Sequence, residues 1–460
     1  MTTVEATAAA PSALPSADKL DFNKILPVFV IVLIDLLGMT VIIPLMPLYA
    51  ASFGANAFMI GLLGAAYPVM QFIGAPFLGR LSDRYGRRPI LLVSQLGTFI
   101  GFLLLGFSNA LWLLFLSRII DGISGANIST AQAAIADSTN EQTRTQGLGL
   151  LGAAFGLGFV VGPILAFVSL AASHDNYHVP AFMAAVLSAL SILLTWFWLQ
   201  ETLPVEKRGQ GGNQAEISFS SMVATLRRPL VGFLLVLLFA QQIAFGGFEQ
   251  LLSLFTLNRL GLNASGNAVI FVFVGIIVVA VQGGLIGVWS RKYGDKWLIY
   301  VGLTTLALGL VLTAFTPAQP VPWYSRQGIT AEFDASRQAS GGAGSPAGHQ
   351  TPAAQNIQVA LPDDTSKGWL GLAWILIAMI PAAIGGGLLQ PAINSLLTRN
   401  VNKSEIGGTL GVSAAFLSGA NVWAPVFGGA LFQVFGSTMP FLVGGVLLAA
   451  LWVIARRVIQ

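Results

Sequence analysis

Long apolar runs, each of about 18 residues or more, alternate with short polar breaks along nearly the whole chain. That length is what an α-helix needs to cross a bilayer. The runs fall at roughly 25–52, 58–77, 89–107, 111–134, 147–171 and 179–199, and then at 229–252, 268–289, 298–315, 369–397, 407–434 and 439–454. Period-two alternation is weak, which argues against a membrane β-barrel. The pattern predicts an all-α polytopic membrane protein with twelve transmembrane helices, numbered below as spans 1 to 12 in chain order.

Two segments interrupt the rhythm. Residues 201–228 are rich in Pro, Gly, Gln and charge and fall midway through the helix count. They read as a cytoplasmic linker between two six-helix halves, 25–200 and 229–457. Residues 316–367 are rich in Gly, Ala, Ser, Pro and Gln and are expected as a mostly disordered outer loop between spans 9 and 10. Trp323 and Tyr324 in that loop are expected to rest on lipid headgroups. Residues 1–24 lack a basic start followed by a short apolar core, so they read as a disordered cytoplasmic tail and not a signal peptide. The halves look duplicated. Gly79, Ser82, Tyr85 and Gly86 recur as Gly287, Ser290, Tyr293 and Gly294, an offset of 208, and Gly149 and Pro163 recur as Gly411 and Pro425, an offset of 262. The offset grows by about the length of the 316–367 loop, which marks that loop as an insertion in the second half. Parallel six-helix repeats are a transporter arrangement.

Composition agrees: 55 % of the 460 residues are hydrophobic and 9 % charged, too apolar for a soluble chain. The absence of cysteine excludes disulfides, thiolate metal sites and thiol nucleophiles. His174, His178 and His349 are expected as solvated loop residues, and no metal or cofactor is expected. The net charge of +4 does not indicate a nucleic-acid partner, because the basic residues sort by side of the membrane. Lys19, Lys24, Arg80, Arg84, Arg87, Arg88, Arg144, Lys207, Arg208, Arg227, Arg228, Arg291, Lys292, Lys296, Arg399, Lys403, Arg456 and Arg457 share one side, against Arg259, Arg326, Arg337 and Lys367 on the other. By the positive-inside rule both termini are cytoplasmic, in a cell (inner or plasma) membrane. The expected partners are the lipid bilayer, protons and a small-molecule substrate, with the monomer as the working unit.

Candidate chemistry lies in the few charges the apolar runs enclose. Residues 79–91 carry four arginines and Asp83 between Gly79 and Pro89, and are expected as a tight polar loop at the membrane surface. An ionised side chain in hydrocarbon costs at least about 2.5–3.5 kcal/mol, so it must be paired, protonated or facing water. Asp35 lies about 14 Å into span 1, near the midplane, and suits proton carriage. Arg118 and Asp121 lie three apart on one helix face. They form either a pair that a proton or substrate displaces or a permanent ion pair. Glu249, toward the outer end of span 7, is a gate, a proton site or an interfacial glutamate. Gln71, Gln132, Gln241, Gln242, Gln282, Gln390, Asn394 and Asn421, with Trp423, are either interhelical hydrogen-bonders or the polar handles of an apolar substrate cavity.

These motifs resemble the major facilitator superfamily, and within it the drug:proton antiporters of the tetracycline-resistance type. Residues 79–91, Gly-Arg-Leu-Ser-Asp-Arg-Tyr-Gly-Arg-Arg-Pro-Ile-Leu, match the family's signature between helices 2 and 3. Arg118-Ile-Ile-Asp121-Gly122-Ile-Ser-Gly125-Ala126 matches the helix 4 pattern. Gly149, Gly158, Gly162 and Pro163 keep the helix 5 antiporter spacing, with Ala166-Phe167 where two glycines are usual. Phe248-Glu249 and Gln282 before Gly287 are also similar.

The resemblance implies two pseudo-symmetric six-helix bundles and proton-coupled efflux by alternating access. It also implies a conformational latch made of Gly79, Asp83, Arg84, Gly86, Arg87, Arg88 and Asp137. In that latch Asp83 sits at the start of helix 11 and Arg84 or Arg87 pairs with Asp137, favouring the outward-open state. Arg291 replaces the acid in the second repeat, so one latch is implied. Tetracycline exporters carry an aspartate matching Asp35. Their helix 3 aspartate falls at Gly101, however, and helix 9 has no acid, which speaks against tetracycline itself as substrate. The expected function is proton-coupled export of small amphiphilic compounds. The alternative is a symporter or facilitator importing a sugar or organic acid. A membrane enzyme finds no catalytic constellation here.

Overall fold

The structure, a computed structural model, describes residues 22–125, 127–139, 144–209, 225–339, 359–401 and 406–459. Among them are 12 helices long and apolar enough to cross a membrane, including Ala57–Tyr85, Leu111–Asp137, Pro229–Leu260, Ala264–Tyr293 and Leu370–Arg399. Local chemistry sets their ends. The Asn56 and Asn263 side chains accept from the backbone of Met59 (2.9 Å) and Gly266 (3.0 Å) as N-caps. Pro229 opens span 7, and Gly261, at φ 66°, closes it in the left-handed region that glycine tolerates. Residues 1–21 of the expected tail and His349 lie outside the described residues, as do most of the linker and residues 340–358 of the outer loop; residues 22–24, expected in the tail, are instead the start of the first helix, Phe22–Ile42.

Several apolar runs are broken where the hydrophobic pattern is continuous. The run 25–52 divides into helices Phe22–Ile42 and Met46–Ser52 around Pro44 and Pro47, which lack the N–H that a continuous helix needs. Span 4 divides into Leu111–Ser124 and Asn127–Asp137 at Gly125. Span 8 passes through a π-helical turn, Val281–Leu285, which holds Gln282 and two glycines.

The charged stretch 79–91 is not a loop. Span 2 stays helical to Tyr85 and span 3 begins at Arg87, with only Gly86 (φ 108°) between them. A helix of 29 residues is about 43 Å long, so its last turns project past a hydrocarbon core of about 30 Å and their charges are solvated. The outer loop also differs from expectation: Arg326–Ala339 is a helix, with Ile329 and Phe333 buried. Tyr324 is buried against Gly261 and its hydroxyl donates to the Pro362 carbonyl (2.9 Å), while Trp323 is exposed and set edge-on to Trp369.

The twelve spans form two pseudo-symmetric six-helix bundles. In the first half span 1 packs on spans 5 and 6, and span 3 on spans 4 and 6; in the second, span 9 packs on spans 10 and 12, and span 7 on span 11. The halves meet through span 2 against span 11 and span 5 against span 8, pairs that the repeat symmetry exchanges. Gly86 and Gly294 adopt the same turn at equivalent positions (φ 108°, ψ 162° and φ 81°, ψ 163°).

Inter-half contacts concentrate on the face away from the arginine-rich one. There Gly61 packs on the Pro425 carbonyl and Gly429 on Ala57, and Ala57 donates to Gln433 Oε1 (3.1 Å). The Ser253 hydroxyl donates to the Pro44 carbonyl (2.8 Å). Toward the basic face, a Cβ added at Gly79, Gly152, Gly283, Gly284 or Gly408 would meet nothing within 4 Å. The two halves are therefore in contact on the far face.

Gly61 makes this contact testable, because an added Cβ would overlap the Pro425 carbonyl. Gly61→Ala is expected to penalise the far-face-closed state by about 1–3 kcal/mol, roughly a 5–150-fold shift in the ratio of states. Because the chain has no cysteine, a single cysteine introduced into the far-side cavity reports the shift as faster thiol labelling. An unchanged labelling rate refutes the expectation.

Candidate functional site

The buried charges of the first half converge on one point. Asp35 in span 1 accepts from Asn127 Nδ2 at 2.6 Å. Its other oxygen is sealed from solvent and accepts no hydrogen bond among the described residues. Across from it, Arg118 Nη1 lies 3.2 Å from Asp121 Oδ2, and both side chains are less than a tenth exposed. Arg118 also lies over the Phe102 ring at 5.5 Å, and its Nε and Nη2 have no hydrogen-bond partner among the described residues. Asp35, Tyr67, Thr98, Asp121 and Asn127 line a common cavity of about 20 Å³, enough for one water molecule. The geometry thus brings two acids from different spans to the lining of one small cavity.

Glycines and the break in span 4 build this point. Gly101 and Gly97 of span 3 lie so close to span 4 that a Cβ at Gly101 would stand 2.9 Å from Asp121 Cβ. The interruption at Gly125 turns Asn127 toward Asp35, and Gln71 braces it by donating to the Gly125 carbonyl (2.8 Å). In span 5, Gly162 packs on Thr40 of span 1, whose hydroxyl donates to the Gly158 carbonyl at 2.9 Å. Pro163 is buried beside them. The helix 5 motif therefore seats span 1 one turn beyond Asp35. Gly149 lies in the same helix, Arg144–Ala172.

At the basic face, Arg87 is the hub. Its Nε donates to Asp137 Oδ2 (2.9 Å) and its Nη1 to Asp83 Oδ1 (2.5 Å) and Ser82 Oγ (2.7 Å). Arg84 is exposed over Tyr85, and Arg88 donates to the Thr195 and Trp196 carbonyls. Glu201, just past span 6, accepts from the backbone N–H groups of Arg87 (2.8 Å) and Arg88 (3.3 Å), the favourable place for an anion at a helix start.

Asp83 is thus engaged with Arg87 of its own half, and residues 402–405, just ahead of span 11, lie outside the described residues. The second repeat, where the motif was expected to decay, holds a counterpart with its signs reversed. Asp295 is bonded to Arg399 (3.2 Å), Ser290 (2.5 Å) and Ser395 (2.6 Å). The offsets of the repeat map Asp83, Arg87 and Asp137 onto Arg291, Asp295 and Arg399. Matching by residue identity hides a symmetry that inverts charge.

The family model of the Major Facilitator Superfamily matches residues 28–331. The chain belongs to that superfamily. It is 35 % identical over 289 residues to the class B tetracycline resistance protein of Escherichia coli, covering 62 % of this chain and 71 % of that one. It is 24 % identical to multidrug resistance protein 2 of Bacillus subtilis (strain 168), over 93 % of this chain and 94 % of that one. Among solved structures, the human organic anion transporter MFSD10 aligns with a TM-score of 0.61 at 21 % identity, over 95 % of this chain and 100 % of the other. These findings make the chain a multi-pass membrane protein of a transporter superfamily.

The remaining polar side chains are mostly tied up within the superfamily fold. Gln242 donates to Asn421 (2.8 Å), Ser413 donates to Asn394 (2.9 Å), and Gln282 lies 3.4 Å from the Gly387 carbonyl. Gln241 is buried with Oε1 unbonded among the described residues, Gln390 is half-buried, and Gln132 and Trp423 are exposed. Glu249 has no hydrogen bond or ion pair among the described residues and is not part of the Asp35 cavity. At Gly101 an added Cβ would also stand 3.1 Å from the Ser117 carbonyl of span 4, so the site is too tight for a larger side chain.

The sequence reading missed Asn127, Tyr67 and Thr98. A lone asparagine two residues after Gly125 was the available signal. It also misplaced His178, which is buried at the start of span 6 and bonded on both ring nitrogens.

Proposed function

We propose that this chain exports small amphiphilic compounds in exchange for protons, by alternating access of its two halves. The observation that carries the reading is Asp35: a carboxylate in mid-span, with one sealed and unbonded oxygen, sharing a water-sized cavity with the Asp121–Arg118 pair. A carboxyl so placed is stable when protonated, and ionises when the pathway admits water or a cation. The names of the relatives, tetracycline resistance and multidrug resistance proteins, support drug efflux. The close packing at Gly101 favours compounds other than a magnesium–tetracycline complex.

In this reading the basic face is cytoplasmic, the membrane is the plasma membrane and the monomer is the working unit. Substrate enters the molecule from the cytoplasm, near Arg118 and the polar side chains of spans 7, 10 and 11. A proton held on Asp35 passes to Asp121 or inward to water. When the cytoplasmic side closes, Asp83 exchanges part of its Arg87 bond for the start of span 11, and the charge-inverted group around Asp295 performs the pseudo-symmetric step. Everted vesicles from a pump-deficient host test the proposal. An imposed pH gradient, acid inside, is expected to drive uptake of cationic dyes and drugs from a broad panel, and uptake must collapse with the gradient. Uptake that is indifferent to the gradient, or that is driven in the opposite sense, refutes it.

A further inference from the structure

The helix Arg326–Ala339 belongs to the insertion that sets the two repeats apart, and it packs across the outer ends of both halves. Phe333 is 1 % exposed and meets the edge of Tyr177 with ring centroids 6.3 Å apart. The Tyr177 hydroxyl donates to Glu332 Oε1 at 2.6 Å. His178 Nε2 donates to the Ser336 carbonyl (2.7 Å), while its Nδ1 lies 2.9 Å from both the Tyr49 hydroxyl and the Gly106 carbonyl. Tyr177, His178, Tyr49 and Gly106 all belong to the first half, and the helix to the second. Asn263, the N-cap of span 8, closes the circuit by donating to Asp175 (2.8 Å) and Glu332 (3.4 Å), and Ser265 also donates to Asp175. Two acids from opposite halves therefore share one asparagine. Asp175 is held there in a left-handed conformation (φ 59°) that a non-glycine residue seldom adopts.

We propose that this helix is a strap that keeps the outer side closed, and that protons taken from outside at Glu332 and Asp175 fasten it. The proposal rests on the orientation given under Proposed function. The titratable groups facing the pair are His174 and Tyr177 of the loop between spans 5 and 6, His178 of span 6 and Tyr49 of the short helix after span 1. Span 8 contributes only the neutral Asn263 and Ser265. No arginine or lysine forms an ion pair with either acid among the described residues, and Arg326 and Asp334 on the strap are not bonded to them.

Burial, and then repulsion from Asp175, raise the Glu332 carboxyl to about 8. Burial also raises Asp175, and burial together with the neighbouring Glu332 raises the Tyr177 phenol. With the strap released and hydrated, Glu332 returns toward the ordinary glutamate value of about 4.3. Seating the strap thus takes up a proton. The stabilisation is complete below the released value, falls as pH rises, and is lost above about 8. The ratio of open to closed forms therefore grows by up to about tenfold per pH unit between these limits. Protons arriving from outside would close the outer face and commit the molecule to opening inward, the order of events that antiport needs.

The test uses the cysteine-free full chain in lipid discs, with spin labels on cysteines placed at Phe107 and Phe315. These are exposed residues at the outer ends of spans 3 and 9. Distance distributions measured from acid to alkaline pH are expected to show the open population growing until pH reaches about 8 and then levelling. Glu332→Gln is expected to remain closed throughout, and Phe333→Ala, which removes the anchor of the strap, to be more open at every pH. A wild-type distribution insensitive to pH, a Glu332→Gln profile that keeps the wild-type slope, or a Phe333→Ala distribution equal to wild type overturns the proposal. These distances do not require transport, so a failure of the efflux reading would leave them unchanged and be recognised separately.

Discussion

Asp35→Asn brings proton-driven efflux down to the level of protein-free vesicles while the protein still inserts and still lets substrate run down its own gradient. The substitution is nearly isosteric, and its amide oxygen can still accept from Asn127, which now bonds the carboxylate at 2.6 Å. It therefore removes the proton site with little change to packing. Asp35 lines a cavity shared with Asp121; an amide there cannot take up and release a proton at neutral pH. The measurement is paired: dye accumulation under an imposed pH gradient, and equilibration of the same dye with the gradient collapsed. Retention of gradient-driven accumulation would sink the role of Asp35. Loss of both fluxes, with normal insertion, would point instead to a substrate contact.

The second large effect is expected at Arg118. Arg118→Ala removes the ion-pair partner of Asp121, whose side chain is 4 % exposed. Breaking a buried pair from one side destabilises by about 3–5 kcal/mol, whereas removing both charges is often close to neutral. The single variant is therefore expected to express poorly and melt far below wild type, and the double variant Arg118→Ala/Asp121→Asn to recover most of that loss. Thermal melting in detergent checks both. The same double variant separates the two readings of the pair. If it melts normally and still couples efflux to protons, the pair is structural. If it melts normally and has lost coupling, the pair takes part in the cycle, as the two unbonded nitrogens of Arg118 suggest. A double variant as unstable as the single one would show that the ion pair is not the source of the effect.

Much of the site was legible because membrane interiors are unforgiving. An aspartate in an apolar run is conspicuous, and the (i, i+3) spacing of Arg118 and Asp121 already placed them on one face. Asn127 and Thr98 were not legible in this way. Neutral polar residues are common in spans as helix-to-helix bonds, and Gln242–Asn421 and Asn394–Ser413 are of that kind. Only the break at Gly125 shows that Asn127 points at Asp35. The charge-inverted group at Asp295 escaped notice because residue identity was compared where complementarity is what the fold preserves: an arginine–aspartate pair holds two helix ends together whichever side carries which sign. The outer strap escaped because Gly, Ala, Ser and Gln dominate its flanks, and its few apolar anchors are too sparse to register as a helical pattern.

Hydrophobic run length and the asymmetry of arginine and lysine, by themselves, determined the number of spans, their expected orientation and the presence of an intramembrane acid. Each follows from the energy of placing chain in hydrocarbon, which composition and order alone specify. Tertiary structure decided which acids share a cavity, which arginine holds Asp83, where contacts between the halves concentrate and what the inserted loop packs against. Those outcomes depend on glycines such as Gly61 and Gly101, where the absence of a side chain lets helices distant in sequence touch, and on contacts between halves that no local pattern encodes.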